Sequence, residues 1–319
     1  MIASMMEGIL IVDKPDGWTS HDVVARARRL LREKRIGHTG TLDPFATGVL
    51  VLLVGRATRL AQFLSGAEKE YEATIRLGYA TDTGDLTGTP RGEARPCADT
   101  LREEIETALE HLRGEIEQVP PMYSAKKVQG KKLYELARKG EEVERKAVRV
   151  RVSEFEIMSD KASLWLLAND DGTCDLRARV VCSAGTYVRA LAESLGEQLG
   201  AGAHLSALRR TRAGEFRISG AHTLDELQTK TEAGAGAEIL LPMKAALSGM
   251  PAVHLSGREA QKVRHGAAVG APEPQPEWPD GAHVSLFDEA GGLLAVGTFD
   301  AARGLVRPRV TLAAEENKH

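Results

Sequence analysis

The sequence predicts an α+β protein, and three observations carry that reading. Strand-like apolar runs and amphipathic helical stretches mix without the regular βαβ period of a doubly wound sheet. The segment AVRVRVSEFEI (147–157) alternates as a half-buried strand does. Composition changes near TEAGAGAE (231–238), and short strand-like pieces follow.

Gly8 to Val12 reads as a buried strand closed by the turn DKPDG. Ser20 is then expected to cap a helix whose Val23, Val24, Ala27, Leu30 and Leu31 fall at helical spacing, with Arg26, Arg28, Arg29 and Arg32 elsewhere on the wheel. RIGHTGTLDPFATG (35–48) is too rich in Gly, Thr and Pro for a regular element, and Val49–Val54 follows as a second buried strand. A helix is expected over Arg56–Leu64, a strand over Tyr71–Leu77 and a loop over TDTGDLTGTP. Asp99–Leu112 has the pattern of an amphipathic helix and Lys131–Arg138 of a shorter one. Strands dominate between Val143 and Val181; Thr186–Leu199 reads as a helix, and Thr223 with Glu226 has the spacing of a capping box. After Met250 come strand-like pieces at 282–287, 293–298 and 305–312, a short helix near 257–265 and the proline-rich loop EPQPEWPDG. Two units are therefore expected, 1–246 and a small β domain over 247–319.

The chain of 319 residues carries 42 basic and 45 acidic residues, a net charge of -3, so any nucleic-acid surface must come from local segregation of charge. Cys97, Cys174 and Cys182 are far apart in sequence and have no metal-ligand spacing. An odd count points to a reducing cytoplasm. The N-terminus lacks the pattern of a signal peptide, and the longest apolar run, Val49–Val54, is too short to span a bilayer. There is no P-loop, no Rossmann glycine pattern and no zinc cluster, so no cofactor and no metal are expected.

The densest polar motif is HTGTLDPFATG. Thr39, Thr41, Asp43 and Thr47 lie on a loop leading into a strongly apolar strand. An Asp-Pro in a loop commonly makes a turn or cap, but a carboxylate at the mouth of a buried strand is also a plausible reactive position, since partial desolvation can tune it.

GHTGTLDPFATGVL resembles the catalytic motif of the TruB family of tRNA pseudouridine-55 synthases. IVDKPDGWTSHDVV, KEYEATIRLGYATDTGDLTG, PPMYSAKKVQGKKLYELARKG, CSAGTYVRALAESLGEQLG and GAHLSALRRTRAGEF resemble the family's other signatures, in the same order. The resemblance implies a central mixed, mostly antiparallel sheet flanked by helices, followed by a small PUA-like RNA-binding β barrel, to which the segment VRP (306–308) is loosely similar. It implies isomerisation of one uridine in the T arm of tRNA by a stand-alone monomer without an obligatory protein partner.

By the same resemblance Asp43 is the catalytic residue, attacking C1′ of the ribose or removing its 2′-proton. Arg189 is the cation beside it, and Tyr71 stacks on the uracil near the C5 proton. Tyr187 and Leu208 line the uridine pocket. His38 fills the gap left when the base is flipped out, and Lys14 with Pro15 shapes the floor. Lys126, Lys127, Lys131, Lys132, Arg138 and Lys139 lie within fourteen residues holding one acid, Glu135, and form one candidate phosphate-binding run. Arg209, Arg210 and Arg212 form a second. The C-terminal unit is expected to grip the acceptor end. Ser194 stands where the family commonly has an aspartate, with little effect expected on chemistry. An RNA-binding protein with a dead site is disfavoured by the intact Asp43, Tyr71 and Arg189, and a guide-dependent relative by the absence of docking extensions. A glycosidase would need a second carboxylate, for which Asp82 or Asp85 is the source.

Overall fold

The run TGVLVLLV is apolar throughout because both of its faces are buried. The computed structural model describes residues 6–312 except Ala98, Ala125, Gln129, Arg138, Glu142, 159–164 and 274–276. In it, strand β3 (Thr47–Val54) sends Leu50, Leu52 and Val54 into the main core and Val49, Val51 and Leu53 into a second core on the opposite face. A strand covered on both sides shows no alternation.

Around it forms a large sheet. Its other main strands are β1 (Gly8–Lys14), β4 (Lys69–Leu77), β5 (Gly114–Gln118), β6 (Val148–Ile157), β7 (Cys174–Cys182) and β8 (Ala203–Ala213), in the order β1-β3-β8-β4-β7-β6-β5. All neighbours are antiparallel except β3 and β8, which run parallel where Thr47 and Gly48 meet Arg209 and Arg210. The sheet is thus mixed and mostly antiparallel, as expected. β1 covers the whole of one edge of β3, so the short strand β2 (Ile36–His38) and β8 share the other. The loop holding Asp43 emerges where β3 changes partners. Gly48 makes the close approach possible: its φ is 99°, and a Cβ there would lie 2.2 Å from the Arg210 carbonyl oxygen.

Helices α1 (Ser20–Leu31), α2 (Arg102–His111) and α3 (Val188–Gln198) lay Val23, Ala27, Leu31, Ile105, Leu109, Leu191 and Leu195 on the main core. Each such valine, leucine or isoleucine side chain contributes about 1.5–3 kcal/mol of burial. A fourth helix, α4 (Leu224–Glu232), packs beside α1.

The C-terminal unit is a five-stranded half-barrel sheet built from β9 (Ala252–His254), β10 (Val269–Gly270), β11 (His283–Phe287), β12 (Leu293–Asp300) and β13 (Leu305–Thr311), in the order β9-β11-β12-β13-β10. Its own core includes Val253, Val263, Val284, Leu286, Phe299 and Val306. It is docked on the larger unit through Leu60, Leu247, Val296 and Leu312, and Arg56 and Arg59 donate to the carbonyls of Leu312 and Thr311 at 2.6 and 2.7 Å.

Some expectations shift. Thr19, not Ser20, caps α1, because Thr19 and Asp22 close a reciprocal capping box and Ser20 becomes the first helical residue. Residues Gly55–Leu60 wind as a 3₁₀ turn before a short α-helix, Ala61–Leu64. Lys131–Lys132 pairs in a small hairpin with Lys127–Val128, and the helix begins only at Leu133. Arg138, the expected end of that helix, lies outside the described residues.

Candidate active site

The loop between β2 and β3 is clamped from three directions. The Ser20 hydroxyl accepts from Leu42 N at 2.9 Å and donates to Leu42 O at 3.2 Å. The Pro44 carbonyl accepts from Gly17 N at 3.0 Å and from Lys14 Nζ at 2.9 Å. The Arg210 guanidinium donates to the carbonyls of Val49, Gly40 and Thr41 at 2.7, 3.1 and 3.4 Å. A glycine- and threonine-rich segment has little packing of its own, so such contacts must supply its order. They hold Asp43 at the wall of a cavity of about 270 Å³.

Asp43 and Arg189 meet there, Nε to Oδ2, at 2.9 Å. Arg189 lies near the N-terminus of α3 and is 4% exposed. A buried cation at that end of a helix opposes the helix dipole, so its partners must compensate. Its remaining donors go to Thr83 O at 2.8 Å and Tyr123 O at 2.7 Å, and Asp85 Oδ2 stands 3.7 Å from Nη1. Asp85 is in turn fixed by Thr83 Oγ1 at 2.9 Å, Thr87 Oγ1 at 2.6 Å and Thr87 N at 3.0 Å. One arginine therefore links two carboxylates. Asp43 keeps 35% of its side chain exposed toward the cavity, whereas Asp85 is buried and outside the cavity lining. Desolvation pushes the Asp43 carboxyl above the ordinary aspartate value; Arg189 pulls it back and Asp85 pushes it further up.

Tyr71, Tyr187, Arg189 and Leu208 line the cavity with Asp43. Tyr71 faces it from β4, where its cross-strand partner is Arg210. Burial raises its phenol pKa, with Arg210 acting against the rise. Tyr187 caps α3, and its backbone is held by Gln118, which donates to Tyr187 O at 3.1 Å and accepts from Tyr187 N at 2.7 Å. Leu208 packs in the main core as well as lining the cavity. Lys69 is buried at the rim and donates to Ser65 O at 2.8 Å; burial lowers its pKa to about 8.

Other expected residues lie elsewhere. The Lys14 side chain is fully buried, and its ammonium donates to Pro15 O, Trp18 O and Pro44 O at 2.9, 2.6 and 2.9 Å. All three donors are taken, so it supports the loop and does not meet a substrate. Burial lowers its pKa to about 8, with the charges of Asp16 and Asp43 acting against the drop. His38 does not line the cavity. It packs edge-on against His21, with centroids 5.7 Å apart, and its Nδ1 is buried without a hydrogen-bond partner among the described residues. Burial and the charges of His21 and Arg210 lower its pKa.

Arg209 points to the opposite face of β8 from Arg210 and pairs with Asp13 at 2.7 Å. Arg212 pairs with Glu68 at 2.8 Å and Glu70 at 3.1 Å. The second basic run is therefore largely committed within the protein. In the first run Lys126 is half-buried and Lys131 and Lys139 are exposed, while Arg138 and the side chains of Lys127 and Lys132 lie outside the described residues. The sequence reading missed Ser20, Gln118 and the positioning part of Asp85. Only Asp85, within TDTGDLTG, carried a signal.

Comparison with known proteins agrees with the resemblance. A model described as TruB family pseudouridylate synthase, N-terminal domain, matches residues 28–188, and one described as tRNA pseudouridylate synthase B C-terminal domain matches residues 189–248. The chain is 43% identical over 303 residues to tRNA pseudouridine synthase B of Geobacillus thermodenitrificans, covering 95% of this chain and 98% of that one. It is 41% identical to the Bacillus subtilis protein of the same name, over 97% of this chain and 98% of the relative. Among solved structures, a chain of a Cbf5–Nop10–Gar1 complex superposes with a TM-score of 0.72 at 27% identity, covering 98% of this chain and 87% of that one.

Proposed function

The chain belongs to the TruB family of pseudouridylate synthases, and we propose that it isomerises the uridine at position 55 in the T loop of tRNA, with Asp43 as the catalytic residue. The curated relatives are named for tRNA, which supports tRNA as the substrate. The observation that carries the assignment of Asp43 is its 2.9 Å pairing with Arg189 at the wall of a cavity shared with Tyr71, Tyr187 and Leu208.

A uridine stacked in a folded loop must be flipped out to reach Asp43, at a cost of a few kcal/mol. Arg189 keeps the carboxylate ionised and oriented through Oδ2. If the carboxylate attacks C1′, the glycosidic bond breaks and an ester forms; C5 of the turned uracil then displaces the carboxylate and C5 loses its proton. If instead it takes the 2′-proton, the C1′–N1 bond breaks as the glycal forms; C5 of the turned uracil then bonds to C1′ while the protonated Asp43 carboxyl returns its proton to C2′, and C5 loses its own proton. Asp43 is the single carboxylate lining the cavity among the described residues, which suits either route. A glycosidase would need a second carboxylate facing the cavity, and Asp85 is committed to Arg189 and the threonines. His38 stands next to Thr39, which lines the cavity, and its proposed part is to fill the space left by the flipped base. Lys126, Lys131 and Lys132 are proposed phosphate contacts, with Arg209 committed to Asp13, and the C-terminal unit the contact for the acceptor end.

The test is tritium release from T-arm RNA labelled at C5 of uridine. Wild type is expected to release tritium and Asp43→Asn to release none, with unchanged affinity for RNA. Comparable release by Asp43→Asn refutes the assignment of Asp43. Release by neither protein refutes the reaction.

A further inference from the structure

The Asp43 loop has a hollow on each side. Behind it, away from the catalytic cavity, lies a second hollow of about 700 Å³, whose walls include Lys14, Trp18, Arg26, Arg29, Arg209 and Asp225. Thr47, at the end of the loop, lines it too. Four of its lining residues are cationic and two, Asp13 and Asp225, are acidic. Lys14 is spent on three carbonyls, Arg209 pairs with Asp13 and Arg26 is held by Gln228, so Arg29 is the exposed cation that the hollow offers.

Trp18 is 37% exposed, a large aromatic left at the surface of a protein that is 4% aromatic. Arg29 is exposed on α1, and the two residues also line a shallow hollow on their other side, so they form the ridge between the two. The ridge is not loosely attached. Lys14 Nζ donates to Trp18 O at 2.6 Å and to Pro44 O at 2.9 Å, and Gly17 N donates to Pro44 O at 3.0 Å. The turn that presents Trp18 and the loop that presents Asp43 are thus bolted to one carbonyl. Arg26 is held by Gln228 on α4, and the first turn of that helix, through Thr223, Leu224 and Asp225, faces the same hollow. N–H groups of a helix's first turn lack intrahelical acceptors and add to the attraction for an anion.

We propose that this hollow is a nucleotide-binding subsite that takes a phosphate on Arg29 and a stacked base on Trp18. It rests on the reading that the substrate is RNA, and its occupant is a part of that RNA other than the flipped uridine. An aromatic platform beside a cation suits a base and its phosphate, since every base offers a π-face. The same chemistry is offered by a free nucleotide. What favours the polymer is continuity: the hollow and the catalytic cavity flank one loop, so a strand passing over residues 43–47 meets both.

The experiment uses the full chain carrying Trp165→Phe and Trp278→Phe, which leaves Trp18 as the sole tryptophan. Whole tRNA is expected to quench its fluorescence saturably, whereas a nucleoside monophosphate at millimolar concentration is not. In the otherwise wild-type chain, Trp18→Ala is expected to raise KM for tritium release about tenfold, with kcat within about twofold and Trp18→Phe close to wild type. Arg29→Ala should flatten the dependence of log Kd on log salt by about one. An isolated T-arm hairpin showing the same effects places the contact within the T arm; effects seen only with whole tRNA place it elsewhere in that molecule, and both support the subsite. Quenching by the mononucleotide with unchanged KM for tRNA overturns the RNA assignment. No quenching, with KM and salt slope unchanged, overturns the subsite. In either case wild-type tritium release is untouched, so failure here is separable from failure of the proposed reaction.

Discussion

The two basic runs, 126–139 and 209–212, look alike in sequence and meet opposite fates. The first includes a small surface hairpin and a short helix, and it leaves Lys131 and Lys139 exposed. The second lies on β8, between β3 and β4 in the sheet, where each cation must be matched. Strand alternation sends Arg209 to Asp13 on one face and Arg210 inward to three carbonyls on the other; after a bulge, Arg212 reaches Glu68 and Glu70. Clustered positive charge thus yields a surface available to an anion in one place and an internal scaffold in the other. What separates them is position in the sheet, not composition.

Substitutions along both runs test that contrast. The largest effect is expected at Arg210→Met. It removes a buried charge together with its donors to the Gly40, Thr41 and Val49 carbonyls, and should cost about 3–5 kcal/mol in urea unfolding and abolish tritium release. A loss under about 1 kcal/mol would show that the loop is held by other means. Arg212→Met should cost less, about 1–2 kcal/mol, because Glu70 keeps Arg179 and Glu68 keeps Ser153. The salt dependence of RNA binding should not change; a flatter slope would mean that Arg212 meets phosphate after all. Lys131→Ala combined with Lys132→Ala should leave stability within about 0.5 kcal/mol. It should weaken RNA binding and flatten the salt slope by up to about two, and an unchanged slope removes that run from the RNA interface.

The smallest effect is one of pH. Because burial raises the Asp43 carboxyl, kcat/KM should fall on acidification through a value above the ordinary aspartate pKa of about 3.9. An acid limb at or below that value contradicts it. The sign for stability is the reverse of the usual carboxylate. Ionised Asp43 destabilises the fold once pH exceeds its raised pKa, and the penalty vanishes below the unfolded value, where both states are protonated. The stability difference between Asp43→Asn and wild type should therefore move in favour of the variant as pH rises through that window, and a difference independent of pH would show that the carboxyl is not shifted.

Much of the fold was legible because local pattern and tertiary role coincide. The apolar run of β3 and the alternation of β6 followed from the faces they bury, and the capping box of Thr223 and Glu226 is present at α4. β8 was not legible as a strand. Its register shifts between Leu205 and Ala207 and between Arg210 and Arg212, and three arginines spread over both faces interrupt its apolar residues, so the period of two breaks where the strand matters most. The cap at Thr19 was misplaced by one residue because Thr and Ser are adjacent and either can cap. Among the site residues, Asp43, Tyr71, Tyr187, Arg189 and Leu208 come from distant segments and line one cavity. Ser20 and Gln118 gave no sign, since a hydroxyl or amide that holds a backbone carries no pattern.

By itself the sequence determined the family, the α+β class and the polar loop around Asp43. These rest on residue identity and short-range periodicity, which a chain carries before it folds. It took the folded chain to make Lys14 and Arg210 buried braces, to join two carboxylates through Arg189, and to leave Trp18 and Arg29 outside on a ridge bolted to the same carbonyl. The reason is that a cation's role is set by which acceptors surround it. Those acceptors arrive from strands and loops far apart in the chain, where no local signal could announce them.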